Sequence, residues 1–468
     1  MAKKREEYDV KSADHFRNRI SSVDKTGKHV WMFPKLVKGK FYKYRTWFSI
    51  GLLVVLFGVP FIEVDGHPFL MLNVIDRQFI IFGMVFWPDD FLIFMLSIVT
   101  FILFIVLFTV IYGRLFCGWA CPQTVFMEMV FRRIEYWIDG NSVQQRKLKE
   151  APWTGEKIRK RALKYGIYLV LAFVVGNLFM TYIIGKNQTF EIITSPPTEH
   201  LTGFLLVLGF TGITFFNFAY FREQVCTVVC PYGRLQGVFL DSKSVVVAYD
   251  NKRGEPRELP KKIRSENAGD CIDCFACVDV CPTGIDIRNG TQLECVNCTA
   301  CIDACDEIMD KVNKPKGLIR YASETDIEQG KSFKLNPRSI AYSSVLLVLL
   351  IVLSVLIFNR SDIKVSMVKV QGFDRVDRNI SNLYNVNISN KTYSKLPIEF
   401  RIANYPTAEV EIAGNKLIAG KGEKKEAIVK IEIPEAELKE RKTKLKVEVW
   451  SQEKLMDKLT INFIGPSN

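Results

Sequence analysis

Five long stretches without a charged residue constrain this chain more than any other feature of its sequence. Each is about as long as the roughly 20 residues that a helix needs to cross the hydrocarbon core of a bilayer. They lie at Trp47 to Ile62, Phe91 to Tyr112, Gly166 to Ile184, Leu201 to Phe221 and Ser339 to Phe358. A buried soluble helix could explain one such stretch, but five in 468 residues predict a bundle of five transmembrane helices.

The loops between these stretches differ in charge. Residues 1–45 carry thirteen Lys or Arg, and residues 113–164 carry eleven, whereas residues 63–90 and 186–201 carry one each. Because loops rich in Lys and Arg stay in the cytoplasm, we expect an inner-membrane protein with a cytoplasmic amino end and a periplasmic carboxyl end. The net charge of +13 then reflects topology and contact with anionic lipid, so we expect the bilayer, and no nucleic acid, as a partner.

The same pattern predicts the domains. We expect a cytoplasmic arm (1–45), a four-helix membrane domain (46–221), a cytoplasmic loop (222–338), a fifth transmembrane helix (339–358) and a periplasmic domain (359–468).

Four segments outside the apolar stretches carry local signals. Polar flanks at Asn251 to Gly269 and Asp310 to Pro337 are typical of linkers. After Phe358, apolar and polar side chains alternate, as at Leu445 to Val449, which predicts an all-β sandwich of immunoglobulin type. The apolar segment from Phe79 to Asp90 is too short to span, and we expect it to lie along the membrane interface.

Eight of the twelve cysteines form two near-copies of one spacing inside the large loop. The copies read Cys271-x-x-Cys274-x-x-Cys277-x-x-x-Cys281-Pro282 and Cys295-x-x-Cys298-x-x-Cys301-x-x-x-Cys305-Asp306. This is the spacing of bacterial two-cluster ferredoxins, in which the fourth cysteine of each run binds the other cluster. We therefore predict two [4Fe-4S] clusters, one on Cys271, Cys274, Cys277 and Cys305, the other on Cys281, Cys295, Cys298 and Cys301. A zinc module needs only pairs of cysteines, and a disulfide knot needs an oxidising compartment, so both explain the pattern less well.

The other four cysteines belong to a second repeat. Tyr112-x-Arg114 precedes Cys117-x-x-x-Cys121-Pro122, and Tyr220-x-Arg222 precedes Cys226-x-x-x-Cys230-Pro231. The repeat indicates that stretches one and two duplicate stretches three and four, which would bring the cysteine pairs to equivalent depths. Four thiolates suit Cu(I), zinc or iron-sulfur, although cysteine is also common as a small buried apolar residue. We predict a redox or copper site, with candidate catalytic and metal-binding residues Cys117, Cys121, Cys226 and Cys230.

The prolines of this second repeat predict local structure. Proline disfavours helical backbone in the residue before it, so Cys121 and Cys230 should lie at breaks. We expect a helix from Gln123 to Ile138, whose positive end would favour the thiolate of Cys121. Gly233 and Gly237 make the same arrangement less favourable after Cys230.

Together, these features resemble the cytochrome c oxidase accessory protein family known as CcoG, also called FixG or RdxA. The likeness includes the five stretches, both cysteine repeats, the Phe86-Trp87-Pro88 loop and the carboxyl-terminal sandwich. It implies assembly of the cbb-type haem-copper oxidase through reduction of Cu(II) to Cu(I), with copper as the substrate. The implied partners are copper chaperones or other oxidase assembly factors, and a cytoplasmic electron donor that the sequence does not identify.

Two other functions stay open at this point. Membrane ferredoxins resembling the quinol-oxidising subunits of nitrate-reductase systems also carry Cys-x-x-x-Cys-Pro pairs, and they pass electrons from quinol to a periplasmic acceptor. A non-catalytic scaffold for oxidase assembly would carry the same clusters and only report redox state. The long sandwich after Phe358 favours the accessory-protein function.

Overall fold

The computed structural model describes residues 28–465, except 65, 76, 88–89, 259–265, 331–336, 371–373, 377–378, 393, 414–416 and 439. The arm expected at residues 1–45 is therefore described only from Lys28 onward, and Pro88 lies outside the described residues.

The helices of this part of the chain are, in order, α1 (Lys40–Gly58), α2 (Phe91–Tyr112), α3 (Leu115–Trp119), α4 (Pro122–Val125), α5 (Arg132–Ile138), α6 (Ser142–Glu150), α7 (Gly155–Ile184), α8 (Lys186–Thr194), α9 (Leu201–Phe216), α10 (Pro231–Phe239), α11 (Asn251–Gly254), α12 (Ala276–Asp279), α13 (Ala300–Lys311), α14 (Glu324–Gln329) and α15 (Pro337–Phe358). Three segments are π-helical, namely Phe126–Phe131, Asn217–Phe221 and Val225–Val229. The expected helix from Gln123 to Ile138 is present as α4, the first π segment and α5.

Five helical segments are long and apolar enough to cross a membrane, which confirms the five predicted spans. They are Lys40–Phe61, Phe91–Tyr112, Gly155–Ile184, Leu201–Phe221 and Ile340–Phe358. The first and third begin several residues before their apolar stretches. Backbone hydrogen bonds form whether a side chain is polar or apolar. Each of these two helices therefore includes the basic residues at its first end, which lie outside the part that faces lipid.

The strands are, in order, β1 (Glu63–Val64), β2 (His67–Pro68), β3 (Leu70–Asn73), β4 (Gln78–Ile81), β5 (Met84–Phe86), β6 (Val246–Tyr249), β7 (Ile319–Ala322), β8 (Ile363–Lys369), β9 (Asp374–Val376), β10 (Asn379–Asn390), β11 (Leu396–Pro397), β12 (Glu399–Ile402), β13 (Glu409–Ile412), β14 (Ile418–Ala419), β15 (Lys424–Pro434), β16 (Lys442–Ser451) and β17 (Lys454–Ile464). The strand pairs of the described residues are antiparallel.

The chain divides into two compact units. The cysteine unit comprises Met1–Gly58, Val99–Met180 and Phe190–Leu349, and it holds all twelve cysteines. The sandwich unit comprises Val59–Ile98, Thr181–Thr189 and Leu350–Asn468.

In the cysteine unit, the two ends of the ferredoxin-like segment are joined by a strand pair. β6 pairs with β7, so that Val246 faces Ala322 and Tyr249 faces Ile319. Ile319, Ala322 and Ile327 are buried. The linker prediction for Asp310 to Pro337 is therefore wrong over β7 and α14. A few buried apolar residues are enough to hold this polar segment in place, because a partner strand is present.

In the sandwich unit, two sheets share one apolar core. One sheet has the order β13-β15-β10-β8 with β9 beside β10, and the other has the order β12-β16-β17. Tyr384 and Ile431 of the first sheet and Val447 and Phe463 of the second are almost fully buried in this core. The predicted sandwich is confirmed.

The segment from Phe79 to Asp90 also belongs to the sandwich unit. It forms β4 and β5 in the sheet β3-β4-β5, with Ile80 and Val85 buried. Gln78 Nε2 donates a hydrogen bond to the Gly422 carbonyl at 3.1 Å, and Lys391 forms a buried ion pair with Asp90. The segment is therefore part of a sheet with alternate side chains buried, and its expected place along the membrane interface stays a prediction.

Candidate functional site

The two ferredoxin-like loops have the same backbone conformation. In the first, Asp273 and Phe275 flank the central cysteine with φ of 51° and 59°, and in the second Asn297 and Thr299 do so with φ of 54° and 64°. Left-handed backbone is uncommon for residues other than glycine, and it tends to occur at functional sites. A helix follows each loop, α12 after Phe275 and α13 after Thr299.

Several of the eight loop cysteines lie close enough together to affect one another. Burial raises the pKa of Cys305 to about 12, and the nearby sulfurs of Cys271 and Cys274 contribute to this rise. Burial likewise raises the pKa of Cys295 to about 12, with a contribution from Cys281 and Cys298. Metal binding takes the deprotonated form of a thiol, so iron would displace these protons.

Cysteines of both predicted groups line a small cavity. The cavity has a volume of about 20 Å³, and five cysteines contribute to its wall, namely Cys277, Cys281, Cys295, Cys298 and Cys301. Within the described residues, no three His, Cys, Asp or Glu side chains are placed to share a single metal ion. Two runs of four cysteines at the ferredoxin spacing suit two multi-iron clusters better than zinc. The residues therefore fit the predicted [4Fe-4S] groups.

The Cys-x-x-x-Cys-Pro motifs each end at the start of a helix. Cys121 precedes α4 with φ −63° and ψ 124°, and Cys230 precedes α10 with φ −69° and ψ 112°. Both cysteines thus have extended backbone, and both prolines occupy the first helical position, where proline is favoured.

The expectation that Gly233 and Gly237 disfavour a helix after Cys230 is wrong, since both lie in α10. A Cβ atom at Gly233 would come within 2.6 Å of the Cys226 carbonyl oxygen, so a glycine is required by the close approach of the motif to its own helix. The Gly233 N–H also lies 3.4 Å from Cys230 Sγ and donates to it.

The four thiols of the two motifs, which we call the thiol quartet, are close enough to affect one another. Burial raises the pKa of Cys117 to about 11, with contributions from Cys121 and Cys230. Burial raises the pKa of Cys226 to about 12, with contributions from the other three thiols. The pKa of Cys121 is raised as well, because burial outweighs the hydrogen bonds from Thr124 and Gln123, so the expectation of a favoured thiolate there is wrong.

Arg114 is the cation of the thiol quartet. It is 2% exposed, its Nε donates to Gln236 Oε1 at 3.1 Å, and its Nη1 donates to the Leu293 carbonyl. Cys117 Sγ donates to the same Gln236 oxygen at 3.1 Å. The positive charge of Arg114 lowers the pKa values of Cys117, Cys226 and Cys295, so it lies beside both the thiol quartet and the second ferredoxin-like loop.

The thiol quartet and that loop are in backbone contact. A Cβ atom at Gly118 would lie 2.4 Å from the Val296 carbonyl oxygen and 2.7 Å from that of Asn297. Arg45, which is 5% exposed, binds both partners of this contact. Its Nε donates to the Gly118 carbonyl at 2.8 Å, and its Nη1 donates to the Cys298 carbonyl at 3.4 Å.

A buried charge network, which sequence reasoning missed, surrounds the second motif. Arg222 binds Glu135 through two hydrogen bonds of 3.0 and 2.7 Å, and Lys164 binds Asp139 at 2.5 Å. Burial alone would raise the pKa of Glu135, but Arg222 and Lys164 hold it below its usual value. The signal was present in the sequence, because Glu128, Arg132, Glu135 and Asp139 recur at the spacing of one helix face.

Comparison with known proteins agrees with this architecture. A model described as a 4Fe-4S dicluster domain matches residues 221–324, one described as a 4Fe-4S binding domain matches residues 94–142, and one for the IG-like fold at the carboxyl terminus of FixG matches residues 353–466. The second match includes Cys117 and Cys121.

Curated relatives share the same sequence over long ranges. Protein RdxB of Cereibacter sphaeroides is 33% identical over 429 residues, which cover 84% of this chain and 89% of the relative. Protein RdxA of the same organism is 33% identical, covering 63% of each chain. Nitrogen fixation protein FixG of Rhizobium meliloti is 37% identical, covering 63% of this chain and 57% of the relative. This chain is a membrane iron-sulfur electron-transfer protein and belongs to the FixG/RdxA family.

Proposed function

We propose that the protein is a cupric reductase that supplies Cu(I) for assembly of a cbb-type haem-copper oxidase. Each [4Fe-4S] group, when bound, supplies one electron at a time. One electron converts one Cu(II) ion, the substrate, to Cu(I), and no atom is transferred in this step. The Cu(I) then leaves for a copper chaperone or another assembly factor.

The observation that carries this proposal is the backbone contact between the thiol quartet and the second ferredoxin-like loop. Gly118 follows Cys117, and Val296 follows Cys295, so the contact joins residues adjacent to a ligand on each side. A tether alone would leave the distance between the two cysteine groups variable, whereas this packing keeps it short.

The residues of the quartet suit the reduced product. Soft thiolates prefer Cu(I) over harder ions, so binding at Cys117, Cys121, Cys226 and Cys230 favours reduction. No three thiols converge on one point in the described structure, so copper binding by more than two requires the side chains to move. The positive charge of Arg114 favours thiolate formation at Cys117 and Cys226 when the metal displaces the protons.

We place the ferredoxin-like segment in the cytoplasm and the sandwich unit in the periplasm. The basic residues of 1–45 and 113–164 support this orientation, as does the presence of all twelve cysteines in one unit. Iron-sulfur clusters are built in a reducing compartment, where an electron donor could reach the exposed Cys274.

One observation favours a second candidate for the quartet. The 4Fe-4S binding domain match over residues 94–142 includes Cys117 and Cys121, so the quartet could hold a third cluster that passes the electron to copper bound elsewhere. Iron content separates the two, because two clusters contain eight irons and three contain twelve.

The proposal is tested on the purified, cluster-loaded protein. The protein is reduced with dithionite, freed of excess reductant under anaerobic conditions and mixed with Cu(II) and a Cu(I)-specific chelator. We expect one Cu(I) for each electron stored in the protein. Oxidation of the clusters without Cu(I), or no reaction at all, would contradict the proposal and favour a non-catalytic scaffold.

A further inference from the structure

An open cavity lies in the cysteine unit beside the first membrane span. It has a volume of about 510 Å³, in the range of cavities that bind small ligands. Its wall is polar at one end and apolar at the other, and it is formed by Leu36, Tyr42, Lys43, Thr46, Trp47, Ile50, Arg133 and Tyr136. Trp47 and Ile50 are 74% and 43% exposed on a span, so the mouth of the cavity faces the position of the lipid.

The polar end holds a donor with no partner. Arg133 Nη2 donates to Thr46 Oγ1 at 2.8 Å, but the buried Arg133 Nε has no hydrogen-bond partner among the described residues. Buried donors of this kind are costly unless a ligand or water satisfies them. Burial raises the pKa of Tyr136 to about 12, so its hydroxyl, which donates to the Pro34 carbonyl, remains neutral.

A second, smaller cavity connects this site to the ferredoxin-like loops. It shares Leu36, Tyr42 and Tyr136 with the first cavity, and its wall includes Cys298 and Arg45. The buried Arg45 Nη2 also lacks a hydrogen-bond partner among the described residues. The Tyr42 N–H donates to Asp303 at 2.8 Å, and Asp303 lies between Cys301 and Cys305 on α13.

We infer that the larger cavity binds a hydroquinone from the membrane, which is the electron donor for the cysteine unit. A hydroquinone carries hydroxyl groups on an apolar ring and dissolves in the bilayer, so it matches both ends of the cavity and its mouth. An ordinary lipid could occupy the same space, but it could not donate electrons to a cluster held by Cys298, which lines the adjoining cavity. The inference rests on the proposed function only for the later step, in which the cysteine unit passes these electrons to Cu(II).

The reaction balances without another reactant. The two O–H bonds of the hydroquinone break and two carbonyl groups form, which releases two electrons and two protons. The two oxidised clusters predicted for the eight loop cysteines accept one electron each. Water accepts the two protons.

The test uses full-length, cluster-loaded protein in lipid nanodiscs under anaerobic conditions. Decylubiquinol and menadiol are the electron donors, and the visible absorbance of the oxidised clusters is followed with time. Binding is measured separately with a photoactivatable azidoquinone, whose attachment site is mapped by mass spectrometry. We expect bleaching by at least one of the quinols and labelling between Tyr42 and Ile50 or near Arg133.

Two pairs of variants make the result specific. Ile50→Trp fills the cavity, and its control Val54→Trp adds the same ring one turn further along α1, at an exposed residue outside the cavity wall. Arg133→Met removes the unpartnered donor, and Arg159→Met, at an exposed residue of α7, is its control. We expect Ile50→Trp and Arg133→Met to lower labelling and the rate of bleaching at least fivefold and the controls to change neither.

Dithionite-driven reduction of Cu(II) separates this inference from the proposed function. We expect Ile50→Trp to leave that reaction unchanged, because dithionite bypasses the cavity. Labelling elsewhere, absence of bleaching by both quinols, or displacement of the label by phosphatidylglycerol without bleaching would overturn the hydroquinone site. Failure of the dithionite reaction alone would instead overturn the cupric reductase proposal.

Discussion

The two copies of the Tyr-x-Arg and Cys-x-x-x-Cys-Pro motif share their sequence but not their surroundings. Arg114 and Arg222 are both 2% exposed, yet the hydrogen bonds of Arg114 go to neutral acceptors, whereas Arg222 forms ion pairs with Glu135 and Glu223. Gly118, in the first copy, packs against the second ferredoxin-like loop, and Thr227 takes its place in the second copy. The two copies therefore share their cysteines, while the first copy contacts the second ferredoxin-like loop and the second copy belongs to a buried ion-pair network.

The largest expected effect tests whether the copies contribute equally to metal binding. We expect Cys117→Ser and Cys226→Ser each to abolish copper binding, because each removes one soft ligand from the same site. Metal analysis of the purified protein measures copper and iron together. Eight irons per chain in the parent protein and in both variants would agree with a copper site.

A different iron count would indicate that the thiol quartet holds iron and not copper. Twelve irons in the parent protein and eight in both variants would place a third cluster on the quartet. Loss of copper from only one variant would contradict equal contribution of the two copies.

The next effect concerns stability and separates the two arginines. Arg222→Met removes the two hydrogen bonds to buried Glu135 and leaves Lys164 and Arg132 as the remaining cations of Glu135 and Glu223. Breaking a buried ion pair typically costs about 3–5 kcal/mol of unfolding free energy. Arg114→Met removes hydrogen bonds to neutral acceptors, for which about 1–3 kcal/mol is typical. Denaturant unfolding of the two variants in detergent measures the difference, with Arg159→Met as an exposed control. Equal losses for Arg114 and Arg222 would mean that their surroundings do not differ as described.

A smaller effect on rate tests the backbone contact at Gly118. The Cβ of Gly118→Ala would meet the backbone of Val296 and Asn297, so the loop must shift away from the quartet. Displacements of about 1 Å can cost up to roughly a hundredfold in rate, and we expect at least a tenfold slower reduction of Cu(II). Stopped-flow mixing of pre-reduced protein with Cu(II) measures this.

Two control variants bear on the same contact. Gly212→Ala lies in α9, where a Cβ meets nothing within 4 Å, and Thr227→Ala lies at the equivalent position of the second copy. Both should retain the parent rate. A parent-like rate in Gly118→Ala with full iron content would show that electrons do not cross at this contact.

The smallest effect is a dependence of stability on pH that comes from the second copy. The folded-state pKa of Glu135 lies below its ordinary value of 4.5, so the folded state favours the charged carboxylate. Its contribution to stability is present above pH 4.5 and is lost as the pH falls through the lower folded-state pKa. We expect the acid-induced loss of stability to be shallower in Glu135→Gln than in the parent protein, measured by unfolding at a series of pH values. An identical slope would exclude Glu135 as a titrating group.

Much of the architecture could be predicted from local patterns. The five spans follow from apolar stretches of bilayer length, and the sandwich follows from alternation, because both signals depend on residues close in sequence. The same reasoning did not predict the strands within Phe79 to Asp90, and it was wrong for part of Asp310 to Pro337. Whether such short segments form strands depends on a partner, and β3 and β6 supply it in these two cases.

The candidate site, too, was predicted only in part from the sequence. Spacing identified all twelve cysteines and the break before each proline, since these depend on ligand geometry and on backbone sterics. It did not identify the ion pairs of Glu135, Asp139 and Lys164, because the helix-face spacing shows which charges share a face but not which cations of other helices pack against them. It also misjudged the pKa of Cys121, since a helix end near a thiol was visible in the sequence but the degree of burial was not.

The sequence by itself determined which atoms can bind metal and which segments can enter a bilayer, because both properties belong to residue types and their order. Only the tertiary structure decided which thiols become neighbours, which acceptors Arg114 binds, and where Gly118 meets the second ferredoxin-like loop. These outcomes depend on contacts between residues more than a hundred positions apart, and such contacts arise only when the helices have packed.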